Sequence, residues 1–301
     1  MPSLSDIARA KINLTLHVGG PIADRSSQYF GYHPLDSLVV FADIHDCVTL
    51  VFDQPGLARM PSLQLSGPFA DRLQNDIGAH SENIIIKAYN RVREQIDLPP
   101  LGFALEKNLP IAAGIGGGSA NAAAVLRLLR RYINQVVGQT PDINWGELAL
   151  SLGADVPVCL GSQTARMSGI GEYVKPLPDL GALHALLVNP GVAVSTREVF
   201  LKYDDASPPN LPDRQYESGG LLERSLNGRN DLEKITAGQV GPVAAALLAI
   251  SEQTGCQLAR MSGSGATCFG IFESVDLAQK AQDNIAGQFP AWWCVATRFG
   301  A

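Results

Sequence analysis

Residues 110–126 read PIAAGIGGGSANAAAVL: four glycines (Gly114, Gly116, Gly117, Gly118), then Ser119 and an alanine-rich apolar run. Glycines at this density let a backbone take positive φ and approach a ligand closely. Ala and Leu without a breaker predict a helix over 121–129. A helix start exposes unpaired N–H groups and about half a positive charge, so a glycine loop leading into one is suited to hold phosphate. A turn with no ligand is the other use of glycine, but such a turn seldom needs four in five positions. A Walker A loop would end in Gly-Lys-Ser/Thr, and no lysine lies between Lys107 and Lys175. A dinucleotide fingerprint counted from Gly114 meets Ser119 at its sixth place, and the first carboxylate downstream is Asp142. Anion binding by neither route is the expectation.

A loop with no lysine needs positive charge from elsewhere. Lys11 shares a polar row with Arg9 and Asn13; it fits a solvated strand face or a cleft lysine that offsets phosphate charge. Asp155, alone within SLGADVPVCL, fits a capping carboxylate or a general base in a partly dry site. Ser262-Gly263-Ser264-Gly265-Ala266 fits a hairpin turn or a second anion-binding backbone loop. Tyr32-His33 fits surface packing or stacking on a flat base, and Phe200 fits a core side chain or a ligand contact. Phosphoryl transfer needs positioning and charge stabilisation more than covalent chemistry, which suits these parts.

The elements that must position them follow from periodicity. Residues 7–18 alternate Ala, Ala, Ile, Leu, Leu, Val against Arg, Lys, Asn, Thr, His, which predicts a half-buried strand. Residues 35–41 and 46–52 read as two paired strands, 101–107 as a strand leading into the glycine loop, and 54–75 as turn-rich. Helices are expected over 83–96, 121–137 and 144–152. Beyond that, 163–177 reads as strands around a turn, with strands over 184–189, 256–262, 267–272 and 292–298. Helices begin at 196 and cover 242–253 and 276–288, while 208–220 is an irregular, Pro/Gly-rich connection.

Composition narrows the function classes. A chain of 301 residues predicts about two domains, with a boundary near residue 165. The net charge of −6 argues against a broad nucleic-acid surface. No signal peptide or membrane-length apolar run is apparent. The five scattered cysteines include no C-x-x-C pair, which fits a reducing cytoplasm without a zinc site or disulfide framework.

Taken in order, these motifs resemble the GHMP kinase superfamily, with its P-x-x-x-G-[LI]-G-S-S-A loop. The triple glycine, ARAKINLTLHV, GYHPLDSL, LGADVPVCL, VNPGVAVSTREVF, NDLE and RMSGSGATCFGIF are similar to one branch of it. That branch acts on a cytidine-diphosphate-linked methylerythritol in the non-mevalonate isoprenoid precursor pathway. The resemblance implies an α+β, two-domain fold. A ribosomal-S5-domain-2-like, ATP-binding half would span 1–165, and a ferredoxin-like half 166–301. It implies ATP-dependent phosphorylation of the substrate's 2-hydroxyl, with Mg2+ accompanying ATP and with a small-molecule partner rather than nucleic acid or membrane.

By position, Lys11 and Asp155 fall on the family's catalytic pair. Pro110, Ile111, Ala112, Ala113, Gly114, Ile115, Gly116, Gly117, Gly118, Ser119 and Ala120 would wrap ATP. Tyr32 and Phe200 would sandwich the cytosine, His33 would bond its edge, and Asn13 would lie beside the erythritol. Gly263 and Gly265 would line the substrate side. The resemblance assigns no metal ligand and no oligomeric state. Two departures stand out: Ala120 replaces the usual second serine, and DRSSQYFGYH is longer than the usual R-x-D-G-Y-H. The alternatives are a superfamily kinase for homoserine or a mevalonate-type alcohol, for which a base clamp has no use, and a nucleotide sensor, which has no need of Lys11 and Asp155.

Overall fold

A computed structural model describes residues 2–52, 61–76, 83–138, 142–205 and 219–300. It divides into two compact units, each assembled from separate stretches of chain. One comprises Met1–Ala10, Ile44–Ile111 and Gly116–Gly161; the other comprises Lys11–Asp43, Ala112–Ile115 and Ser162–Ala301. Two strands, β1 (Ser3–Asn13) and β3 (Leu35–Val51), contribute residues to both.

In the first unit, β4 (Ser62–Ser66) pairs parallel with β5 (Gly102–Glu106), and β5 pairs antiparallel with the Cys47–Val51 end of β3. Alternate residues Val48, Leu50, Phe103 and Leu105 are buried, as a pleated strand requires. The helices are α1 (Ala70–Asp76), α2 (Ile84–Arg93), α3 (Gly117–Tyr132), α4 (Trp145–Leu152) and α5 (Val156–Gly161). Helix α3 passes into a π-helical turn at Ile133–Val137. From Ala120 to Leu126 every residue of α3 is buried, and α2, α4 and α5 pack on it. Its alanines carry little side-chain bulk, which permits neighbours on several sides. Asn83 and Asn144 cap α2 and α4, accepting from the Ile85 and Glu147 N–H groups at 2.9 and 3.2 Å.

In the second unit, β2 (His17–Val18) pairs with Leu35 and Asp36 of β3. The hairpin of β6 (Ala165–Gly169) and β7 (Tyr173–Pro176) adds through β6 to Leu35–Val39. A four-stranded antiparallel sheet follows in the order β11 (Trp293–Phe299), β8 (Leu183–Asn189), β10 (Cys268–Phe272), β9 (Cys256–Met261). Helices α6 (Thr196–Asp205), α7 (Leu221–Asn227), α8 (Glu233–Gln239), α9 (Gly241–Ser251) and α10 (Val275–Gln288) complete the unit. With α9 between β8 and β9 and α10 between β10 and β11, this is the ferredoxin-like βαββαβ order. Val243, Ala246 and Ile250 of α9 and Ala278, Ala281 and Ile285 of α10 share a core with Leu186, Val188, Cys268 and Phe272.

Three sequence expectations change. The stretches read as two paired strands, 35–41 and 46–52, are one continuous strand, β3. Ala42-Asp43-Ile44-His45 contains no glycine or proline to reverse the chain, so its polar residues do not make a turn. Residues 7–18 are interrupted after Asn13, and the polar row of that strand is not solvated: Lys11, Asn13, Thr15 and His17 are all 3% exposed or less. The stretch 54–75 holds β4 and most of α1, with 54–60 outside the described residues; the irregular connection at 208–220 also lies outside them up to residue 218.

Arg260 locks the second unit from inside. Its guanidinium, 7% exposed with the residue as a whole, donates to the carbonyls of Leu14 (2.7 Å), Ser225 (2.7 Å) and Gly228 (2.8 Å). Burial pulls its pKa below the usual arginine value, and the charge of Glu233 partly restores it. Removing the donors would leave several carbonyls buried and unpaired, each at about 1–3 kcal/mol. Arg260→Met is therefore expected to lower the unfolding free energy by about 3 kcal/mol or more in urea titrations. A loss under about 1 kcal/mol would show that water satisfies these carbonyls.

Candidate active site

Lys11 and Asn13 are two residues apart on β1, so their side chains leave the same face. The Lys11 ammonium donates to Asn13 Oδ1 at 2.8 Å, and Asn13 Nδ2 donates to Ser37 Oγ at 2.7 Å. Because lysine can only donate, its bond fixes which end of the Asn13 amide faces it. The Asn13 N–H donates to Ser262 Oγ at 3.1 Å, and the Ser262 hydroxyl donates to the Gly114 carbonyl at 3.0 Å. Lys11 N–H donates to the Ile115 carbonyl at 2.9 Å, and Thr267 N–H to that of Ala113 at 3.0 Å. The candidate lysine, the second glycine loop and the Ala112–Ile115 part of the first are thus one hydrogen-bonded body.

The two loops meet backbone to backbone. A Cβ on Gly114 (φ +71°) would lie 2.6 Å from the carbonyl oxygens of both Ser262 and Gly265. One on Gly263 (φ +58°) would lie 2.9 Å from the Gly114 carbonyl. Gly114 and Gly263 therefore serve the close packing of the two loops, whereas a Cβ on Gly265 would meet Met261 Sδ at 2.8 Å.

The rest of the glycine loop begins α3. Gly116 caps the helix in the left-handed region (φ +62°), and its carbonyl accepts from Ala120 N–H at 2.8 Å. The N–H groups of the first turn have no intrahelical acceptor, as at any helix start. Gly118 is exposed, and a Cβ there would meet nothing within 4 Å. Pro110, Ile111, Ala112, Ala113 and Ile115 form the approach to this turn, Ser119 is half-buried within it, and Ala120 is 3% exposed, so the departure from the family pattern falls inside the packing.

A buried ion pair sits beneath the loop and was not singled out by sequence reasoning. Lys107 Nζ donates to Asp46 Oδ2 and to the Leu109 carbonyl, both at 2.7 Å. The other oxygen of Asp46 accepts from the N–H groups of Asn108 and Leu109 at 2.7 and 2.8 Å. One carboxylate therefore fixes the two peptides that precede Pro110. Burial lowers the Lys107 pKa, and the charge of Asp46 opposes that shift. The signal available in sequence was a lysine three residues before the loop's proline.

Asp155 is half-buried, directly ahead of α5, and its carbonyl accepts from Cys159 N–H at 3.2 Å. Arg127 of α3 donates to the Cys159 carbonyl at 2.8 Å, to the Ile7 carbonyl at 2.8 Å and to Asp6 at 3.1 Å. The helix that starts at the glycine loop thereby holds the helix that follows Asp155.

A third group lies in the second unit. The His33 ring packs against Phe200 at 4.8 Å between centroids, and His33 Nε2 lies 2.6 Å from Asp204 Oδ1. Phe200 and Asp204 are four apart on α6 and so share a face. Tyr32 is 55% exposed and meets Tyr29 edge-on at 6.2 Å. The structure thus brings His33 and Phe200 together, while Tyr32 stands in solvent.

All five cysteines are free thiols, and burial raises the pKa of Cys47, Cys256 and Cys268 and carries that of Cys294 to about 11, away from a reactive thiolate. Among the described residues no cluster of three or more His, Cys, Asp or Glu side chains is arranged to hold a metal, and no single helix is long and apolar enough to cross a membrane.

The pattern of the GHMP kinases N terminal domain matches residues 83–163, and that of the GHMP kinases C terminal matches residues 215–291. A 4-diphosphocytidyl-2-C-methyl-D-erythritol kinase of Paracoccus denitrificans is 45% identical, covering 97% of this chain and 95% of that protein. One of Rhizobium leguminosarum is 43% identical over 98% and 94%. The chain belongs to the 4-diphosphocytidyl-2-C-methyl-D-erythritol kinase family of GHMP kinases. It is similar to a crystal structure of 4-(cytidine 5'-diphospho)-2C-methyl-D-erythritol kinase, with TM-score 0.75, 27% identity, and coverage of 99% of this chain and 100% of the other. A homoserine kinase from Cytophaga hutchinsonii shares the fold, with TM-score 0.64 at 19% identity, over 99% and 95% of the two chains. The chain therefore has the two-domain fold of this kinase family.

Within that kinase fold, the glycines divide by task. Gly118→Ala should raise stability by about 0.5–1 kcal/mol, since it replaces a helical glycine in open space. Gly114→Ala should cost more than about 2 kcal/mol, from a left-handed backbone and a contact that must open. Thermal melts of the two variants measure both, and equal melting points would refute the division.

Proposed function

We propose that this chain transfers the γ-phosphoryl group of ATP to the 2-hydroxyl of 4-diphosphocytidyl-2-C-methyl-D-erythritol, a step of the non-mevalonate isoprenoid precursor pathway. The observation that carries the reading is the buried Lys11–Asn13 pair, hydrogen-bonded through Ser262 to the glycine loop. It ties a cation to Ala112–Ile115 of a glycine loop which has no lysine of its own, and this supports the reading.

In this mechanism Asp155 accepts the proton of the 2-hydroxyl. The freed oxygen bonds to the γ-phosphorus, the bond from that phosphorus to the β–γ bridging oxygen breaks, and ADP leaves with the electron pair. Lys11 offsets the charge on the transferred group. The first turn of α3 and residues 110–120 receive the phosphates, and the N-terminal domain, 1–165, carries ATP. Mg2+ accompanying ATP would neutralise phosphate charge, and the Ser119 hydroxyl would lie near the phosphates or that ion. Tyr32, His33 and Phe200 receive the cytosine, and Asn13, Gly263 and Gly265 border the polyol. Five free thiols suit a reducing compartment, and we place the reaction in the cytoplasm.

Purified protein with ATP and Mg2+ should phosphorylate the cytidine-linked polyol in preference to homoserine or mevalonate, followed as ADP release. Equal turnover of homoserine would sink this reading. Asp155→Asn should lower kcat by roughly 10²–10⁴ with the KM for ATP nearly unchanged. Turnover like that of the unaltered protein would remove Asp155 from the chemistry.

A further inference from the structure

We infer that Asp204 is a positioning residue that sets the base specificity of this site by fixing the His33 tautomer. The inference rests on the reading that His33 meets the base of the substrate.

A neutral imidazole has one N–H donor and one acceptor, and which nitrogen carries the proton is set by its partners. His33 Nε2 lies 2.6 Å from Asp204 Oδ1. A carboxylate can only accept, so Nε2 carries a proton, and in the neutral ring Nδ1 is then the acceptor. The ring is also held in place. Phe200 lies against it at 4.8 Å with a 41° tilt, and Tyr203 meets it edge-on at 6.3 Å. The His33 side chain is 9% exposed and that of Asp204 34%, so the pair stands at the margin of solvent with the imidazole on the drier side. Phe200, Tyr203 and Asp204 all belong to α6, so one helix supplies the packing surface, the edge contact and the proton acceptor.

An Nδ1 acceptor discriminates between pyrimidines. Cytosine presents an amino group at position 4, a donor, whereas the corresponding group of uracil or thymine is a carbonyl oxygen, an acceptor. An acceptor aimed at that edge bonds the first and opposes the second. Without Asp204 the ring is free to take the other tautomer, whose Nδ1–H would suit the carbonyl. Asp204 thereby governs selectivity without touching the base itself.

The test compares the unaltered protein with Asp204→Asn, Asp204→Ala and Asp204→Glu. Each is assayed on the cytidine-diphosphate-linked polyol and on its uridine-diphosphate-linked analogue. The ratio of kcat/KM for cytidine over uridine should fall about tenfold or more in the Asn and Ala variants, the worth of one hydrogen bond changed from attractive to opposed. It should recover in Asp204→Glu. The KM for the cytidine substrate should rise, while kcat at saturation and the KM for ATP stay put. In 15N-histidine-labelled protein, the His33 signals, assigned with His33→Gln, should show a protonated Nε2 and a bare Nδ1, and this preference should be lost in Asp204→Ala. Retention of selectivity in both the Asn and Ala variants, or a proton on Nδ1 in the unaltered protein, would overturn the inference. Equal use of both substrates by the unaltered protein would instead defeat the underlying reading of base recognition.

Discussion

The Ser262 hydroxyl accepts from the Asn13 peptide and donates to the Gly114 carbonyl, and through it a strand and two loops become one object. Small residues are required on both sides of this contact, because carbonyl oxygens occupy the space where side chains would otherwise stand. The lysine presented by that strand is consequently rigid relative to the Ala112–Ile115 backbone. On the proposed reading of Lys11, phosphoryl transfer rewards such rigidity: a charge aimed in advance need not be reorganised as the reaction proceeds.

Charge here is handled locally. A protein of net charge −6 offers anionic substrates no general attraction, so cations must be placed one at a time. The Lys11 ammonium is buried on the Asn13 amide, and that of Lys107 on the Asp46 carboxylate. Asp46 balances Lys107 and leaves it as a tie between peptides, and the Asn13 amide orients the Lys11 ammonium. Arg260 and Arg127 follow the structural pattern, directing their donors largely to main-chain carbonyls.

Much of the secondary structure was legible from periodicity and glycine placement, including the four strands and two helices of the ferredoxin-like sheet. The glycine loop was legible as a helix start, because glycines packed so densely ahead of an alanine-rich run leave its first N–H groups without intrahelical partners. Two things were hidden for one reason: alternation reports polarity, and polarity does not report burial. The row holding Lys11 and Asn13 fitted a wet face as well as a cleft and is dry, because its polar groups bond to one another and to loops far away in sequence. In the same way Asp46, Lys107 and Asp204 became informative only once folding gave them partners. Strand β3 misled in a different way, since charged residues in the middle of a long strand imitate a turn when their neighbours are unknown.

The way the chain is shared between the two units has a consequence for how it can be cut. Each unit draws on three separate stretches, and the four residues Ala112–Ile115 belong to one unit while the chain on both sides of them belongs to the other. No single scission yields two self-sufficient pieces: a break after Gly161 strips the later unit of Lys11–Asp43 and of half the glycine loop. Folding must therefore bring together residues more than two hundred positions apart, as with Asn13 and Ser262, before the loop has its shape. Such long-range closure slows folding. It also means that the loop cannot be transplanted as a cassette, because its geometry is a property of the finished fold rather than of its own letters.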